Sequence, residues 1–187
     1  GGKNGVELRA GPRVAAGFRL KISEKIGHDT GMAAIAHYDG DYLYLPEVID
    51  VFPSCDSNAK LFRWLAAYAA ALDKEEISVS ISKEESLYAR DMLQLREVWS
   101  VTDKLVALFP GLRSVREGLG KEFLEQREAR PLPPAEQAVE QCLRWIIGAD
   151  KPSQGLSAQM ADFISGEIDV LPVIDNRQNY KPFLPVP

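Results

Sequence analysis

The sequence is poor in the residue types that most enzyme chemistry requires. Two histidines and two cysteines serve 187 residues. Neither His28 nor His37 sits in an HExxH arrangement or at another metal-ligand spacing. Cys55 and Cys142 form no CxxC pair, so they read as reduced, semi-apolar side chains and not as a disulfide framework. Long apolar runs are also missing. The longest, Trp64–Leu72, falls far short of the roughly 20 residues that span a membrane. A basic excess is lacking too. The formal net charge of −5 argues against a dedicated nucleic-acid surface and leaves room for a basic partner. No charged-then-apolar leader opens the chain, and a cytoplasmic location is expected.

The sites these residues could build fail one by one. Gly120-Lys121 has the ending of a phosphate-binding loop. Glu122 stands where the magnesium-holding Ser or Thr belongs, however, and Val115 where the first glycine belongs. No GxSxG elbow occurs. Cys55 lies near a helix start, yet no histidine is close in sequence and Asp56 opposes a thiolate. Only His28, His37, Asp39 and Asp41 offer the makings of a small metal-dependent hydrolase, and the two aspartates read better as turn residues. Acidic pairs such as Glu75-Glu76 and Glu84-Glu85 belong on helix starts and turns in any case. The expectation is a protein without enzymatic activity, cofactor or metal.

What the sequence does have is helical periodicity. The apolar fraction of 45% and charged fraction of 26% suit one folded core. Leu61, Trp64, Leu65, Tyr68 and Leu72 form a single helical stripe, with Asp56, Ser57 and Asn58 as candidate N-caps. Ser82-Lys83-Glu84-Glu85 reads as a capping box for a helix using Leu87, Leu95, Val98 and Trp99, stopped by Pro110-Gly111. A weaker helix from Leu112 to about Arg127 uses Val115, Leu119 and Phe123, and Gly118 and Gly120 disfavour it. Pro131–Pro134 breaks the chain before a helix with Val139, Cys142, Leu143, Ile146 and Ile147 inward and Gly148 at its C-terminal end. Ser157–Ile164 reads as a short last helix.

Near the N-terminus, Asp39-Gly40 between two apolar runs predicts a hairpin with a two-residue turn, in which His37 faces Tyr42. Gly17–Ile26 alternates weakly as an edge strand, and Val6, Leu8 and Arg9 allow a short one. The fold class is therefore mainly α, with a small β-hairpin or sheet near the N-terminus, a bundle-like helical body and an extended C-terminal tail. The expected division is a flexible lead-in over 1–18, one helical domain over 19–166 and a tail over 167–187.

One segment, Leu43–Ala70, carries a resemblance. A strand ends in Leu45-Pro46, Ile49-Asp50-Val51-Phe52-Pro53 follows, then Asn58, then a helix with Trp64-Leu65-Ala66-Ala67. Phe109-Pro110-Gly111-Leu112 and the ending Tyr180–Pro187 agree with the same pattern. This resembles the NorD/CbbO family, large subunits that accompany MoxR-class AAA+ ATPases. The resemblance implies a non-catalytic adaptor that docks on the ATPase hexamer and couples it to remodelling of a client enzyme. It further implies that the client is Rubisco carrying an inhibitory sugar phosphate in the CbbO branch, which the sequence is taken to favour, or nitric oxide reductase in the NorD branch. Family members end in a von Willebrand factor A domain whose metal site begins Asp-x-Ser-x-Ser. That motif is not in this sequence, which therefore reads as an N-terminal part whose client contact lies in the missing domain. Candidate partner-binding residues are Arg63, Trp64, Tyr180, Phe183 and Leu184, because an extended apolar tail must lie on something. A spacer domain, with the tail only joining it to that missing domain, is the rival expectation.

Overall fold

The computed structural model describes residues 7–11, 37–38, 42–46, 49–71, 86–127, 129–175 and 179–181. They contain strands β1 (Glu7–Gly11), β2 (His37–Tyr38) and β3 (Tyr42–Pro46). Helices α1 (Cys55–Ala71), α2 (Leu87–Leu108), α3 (Leu112–Gln126), α4 (Pro134–Ile147) and α5 (Gly155–Ser165) follow. The fold is mainly α, as the periodicity predicts. The chain divides into two compact units. Among the described residues, the first holds the strands, α1 and residues 105–119; the second holds 86–104, 120–127, 129–175 and 179–181.

In the first unit β3 is the central strand. It pairs in parallel with β1, Glu7 against Tyr42 through Gly11 against Pro46, and antiparallel with β2. The β2 register differs from expectation: His37 lies opposite Tyr44 and Tyr38 opposite Leu43, leaving residues 39–42 between the last paired positions. The physical reason is parity. A slip of two residues keeps every side chain on its original face, so alternation alone cannot choose between a short and a longer connection. The Asp39-Gly40 turn itself, Gly17–Ile26 and His28 lie outside the described residues. Helix α1 lies against β3 and β2. It buries Leu61 and half-buries Trp64, Leu65 and Tyr68, as the stripe predicts; Leu72, its last member, lies outside the described residues.

The start of α1 falls earlier than any of the three candidate caps. Ser54 is the N-cap, its Oγ accepting from the Ser57 amide at 3.4 Å, and the Asn58 amide closes the first turn on the Ser54 carbonyl at 3.0 Å. Helix α2 likewise begins beyond the predicted capping box. Ser86 caps it through the Ala89 amide at 3.2 Å, and Ser82–Glu85 lie outside the described residues. Of the predicted stripe, Leu95 is buried and Val98 and Trp99 pack against the core; only Leu87 is exposed, and Tyr88 and Met92 fill the first turns in its place.

The second unit is built on α4. Val139, Cys142, Leu143, Ile146 and Ile147 are all buried, as its stripe predicts, against Met160 and Ile164 of α5 and Tyr88 and Met92 of α2. Pro134 opens α4 at its first position, where a missing N–H is harmless, and the Gly148 amide closes the far end on the Arg144 carbonyl. Two indoles meet at this core, Trp99 and Trp145, with ring centroids 4.1 Å apart and planes tilted by 34°.

Gly120 answers the question its helix raised. A Cβ there would stand 2.1 Å from the Ile147 carbonyl oxygen, so α3 and α4 meet backbone to backbone. The same placement disposes of the phosphate-loop reading, since Gly120-Lys121 sits inside a helix and not before one. A Cβ at Gly118 would meet nothing within 4 Å.

Candidate functional site

The segment that carries the resemblance folds as a pinned turn. Asn58, one turn into α1, reaches back over its own N-terminus: Oδ1 accepts from the Val51 amide at 3.0 Å and the Phe52 amide at 2.8 Å. Its Nδ2 donates to the Phe52 carbonyl at 2.7 Å. One neutral amide thereby satisfies three backbone groups of an irregular stretch. Phe52 is driven inward, 1% exposed, while Asp50 and Pro53 stay at the surface. The asparagine and the phenylalanine of the motif are thus one structural device. Beyond it Phe62 and Arg63 are exposed and Trp64 is half-buried. Lys60 pairs with Asp56 one turn before it and holds that carboxyl below its ordinary value.

The tail is a second irregular stretch laid over helices, within the second unit. Gly166 takes the left-handed conformation that ends α5, and the Glu167 and Ile168 amides both return to the Asp162 carbonyl. From there residues 167–175 and 179–181 form a strap, with 176–178 outside the described residues. The Tyr88 hydroxyl donates to the Pro172 carbonyl at 2.9 Å, and Ile174 is buried. Tyr180, a candidate for partner contact, is turned inward instead. It is 4% exposed, set edge-on to Tyr88 at 5.5 Å, and its hydroxyl donates to Asp91 Oδ2 at 2.6 Å. Burial, reinforced by the Asp91 carboxylate, pushes the Tyr180 phenol well above its ordinary range. The Lys181 amide ends the strap on Glu136 Oε1 at 3.1 Å. Phe183 and Leu184 lie outside the described residues. The strap is flanked by Arg96–Asp169 and by Lys151 with Asp162 and Glu167, exposed pairs of small energetic weight.

A charged clasp closes α4 onto the end of α3. Glu140, 5% exposed, accepts both Nε and Nη2 of Arg127 at 2.7 and 2.6 Å and Nε of Arg144 at 2.8 Å. Arg144 Nη2 in turn donates to the Arg127 carbonyl at 2.7 Å. This bidentate geometry is structural. So is Cys142, whose thiol faces the Ser157 carbonyl and is pushed up to about 12 by burial. Cys55 is exposed at the first position of α1. Among the described residues no three His, Cys, Asp or Glu side chains converge as a metal set. His28, Asp39 and Asp41 lie outside those residues. Sequence reasoning missed Asn58 as a clamp, Tyr88, Asp91 and the Glu140 clasp; each is polar, and apolar periodicity carries no signal for such partners.

Comparison with known proteins adds two relatives. The chain is 28% identical over 144 residues to Protein NorD of Stutzerimonas stutzeri, covering 76% of this chain and 21% of that one. It is 35% identical over 71 residues to a Pseudomonas aeruginosa protein described as uncharacterized, covering 38% of this chain and 12% of that one. The chain therefore spans about a fifth or less of the curated relatives it matches. No family model and no solved structure matches it.

Proposed function

We propose that the chain is an accessory domain of NorD type: a non-catalytic adaptor that docks on a MoxR-class AAA+ hexamer and helps couple it to a client enzyme. The observation that carries this reading is the similarity to NorD over three-quarters of the chain. The pinned turn supports it, because two of the residues that resemble the family there, Phe52 and Asn58, work as one device. The non-catalytic part is supported by how the buried polar groups are used. Glu136, Glu140, Tyr180 and Cys142 each hold backbone or helices in place.

Of the two client branches, the name of the relative favours nitric oxide reductase. Rubisco activation rests on the sequence resemblance alone. A cytoplasmic site beside an ATP-using ring belongs to the same proposal; among the described residues no helix is long and apolar enough to cross a membrane. The test is co-elution of this chain with its cognate MoxR-class ATPase in size-exclusion chromatography, with and without ATP. A hexamer-sized complex supports docking. Free elution of a chain that is folded by circular dichroism sinks it and favours a spacer.

A further inference from the structure

The turn between α2 and α3, within the first unit, is built in a way the fold does not require. Leu108 is 69% exposed and Phe109 49% exposed, two large apolar side chains side by side at the surface. They stand on a rigid base. The Phe109 amide donates to the Leu105 carbonyl at 2.9 Å, the Leu112 amide to the Phe109 carbonyl at 2.9 Å, and the Arg113 amide to the Pro110 carbonyl at 3.1 Å. Leu105 and Leu119, buried on either side, root the turn. Gly111 has neither a positive φ nor any atom within 4 Å of an added Cβ, so local conformation does not demand glycine there.

The charge is locally basic between Asp103 and Glu117. In a chain of net charge −5, the stretch from Leu105 to Arg116 holds two arginines and no carboxylate. Arg113 is exposed in the first turn of α3, where a cation opposes the helix dipole, and that turn has no acidic residue. Among the described residues its guanidinium has no hydrogen-bond or ion-pair partner.

Resting on the adaptor reading above, we infer that the Leu108–Arg113 turn is a docking knob for a protein partner that offers an apolar socket rimmed by carboxylates. Leu108 and Phe109 fill the socket, Gly111 lets the partner approach the backbone, and Arg113 meets the acidic rim. Apolar anchors supply affinity and the cation supplies register and salt dependence.

The experiment measures binding of the whole chain to the cognate MoxR-class ring for wild type, the Leu108→Ser/Phe109→Ser double variant and Arg113→Glu. Thermal melts by circular dichroism accompany each. The expected result is wild-type binding, at least about tenfold weaker for the double variant. Arg113→Glu should weaken binding about fivefold at low salt, with the difference closing near roughly 0.5 M salt. Unchanged binding by both folded variants overturns the knob and leaves the adaptor reading standing. No binding by wild type overturns both. If the double variant misfolds, full binding by Arg113→Glu at low salt still overturns the acidic socket. A wild-type chain that elutes as a dimer, converted to monomer by the double variant, assigns the surface to a second copy and overturns the inference.

Discussion

Two irregular stretches lie on helices in this protein, and they are held in opposite ways. The 49–53 turn is tied by a single side chain, Asn58, six or seven residues away along the chain. The strap, residues 167–175 and 179–181, is tied by Tyr88, Asp91 and Glu136, which stand 45 to 89 residues from the atoms they hold. The first is a local device that can form as soon as α1 nucleates. The second exists only after α2 and α4 are in place, because loop closure over that span must be compensated by several contacts at once. Local ties are visible in a sequence as a motif; distributed ties are not.

The sharpest way to break this comparison is at the non-local contacts of the second unit. Gly120→Ala drives a Cβ into the Ile147 carbonyl, and about 3 kcal/mol of stability should be lost in a denaturant titration, whereas Gly118→Ala should be neutral or slightly stabilising. Glu140→Gln leaves two largely buried guanidinium groups without their carboxylate and should cost about 3 kcal/mol by the same measurement. Equal melting of wild type and Glu140→Gln would show that the clasp is solvated in solution.

On the local side, Asn58→Ala removes three hydrogen bonds at once, and about 2 kcal/mol is expected. Limited proteolysis should then open the chain near Pro53 first. Uniform cleavage elsewhere would contradict the clamp. The smallest step is Tyr180→Phe, about 1 kcal/mol, with earlier cleavage of the strap.

The pH response separates the two stretches without mutation. The folded protein raises the Tyr180 phenol above its unfolded value through burial and Asp91. The stabilisation is therefore complete below about pH 10, the unfolded tyrosine value, and falls as pH rises beyond it. Wild type should lose stability in that alkaline window and Tyr180→Phe should lose less. Nothing in the Asn58 clamp titrates, so the turn should be indifferent over the same range.

The sequence made the α4 stripe and most of the α1 stripe legible because apolar periodicity is set by helix geometry alone. For α2 it placed Leu95, Val98 and Trp99 inward but not Leu87, since Ser82 and Ser86 are equally good caps on paper and only the packing of Tyr88 and Met92 selects the first turn. It took Tyr180 for a free anchor because nothing local shows that Asp91 will stand 2.6 Å from its hydroxyl. The motif residues Phe52 and Asn58 could be seen as a pattern, but their shared purpose shows only in the fold.

The paired indoles have a use of their own. Of the three tryptophans, Trp64 belongs to the first unit, while Trp99 and Trp145 stand centroid to centroid at 4.1 Å in the second. Rings that close couple their electronic transitions, so the pair should give a signed circular-dichroism doublet in the far ultraviolet that a lone indole cannot. The doublet is thus an optical channel for the second unit alone. A melt followed on it and on the overall helical signal would tell whether that unit comes apart with the rest of the chain or in turn.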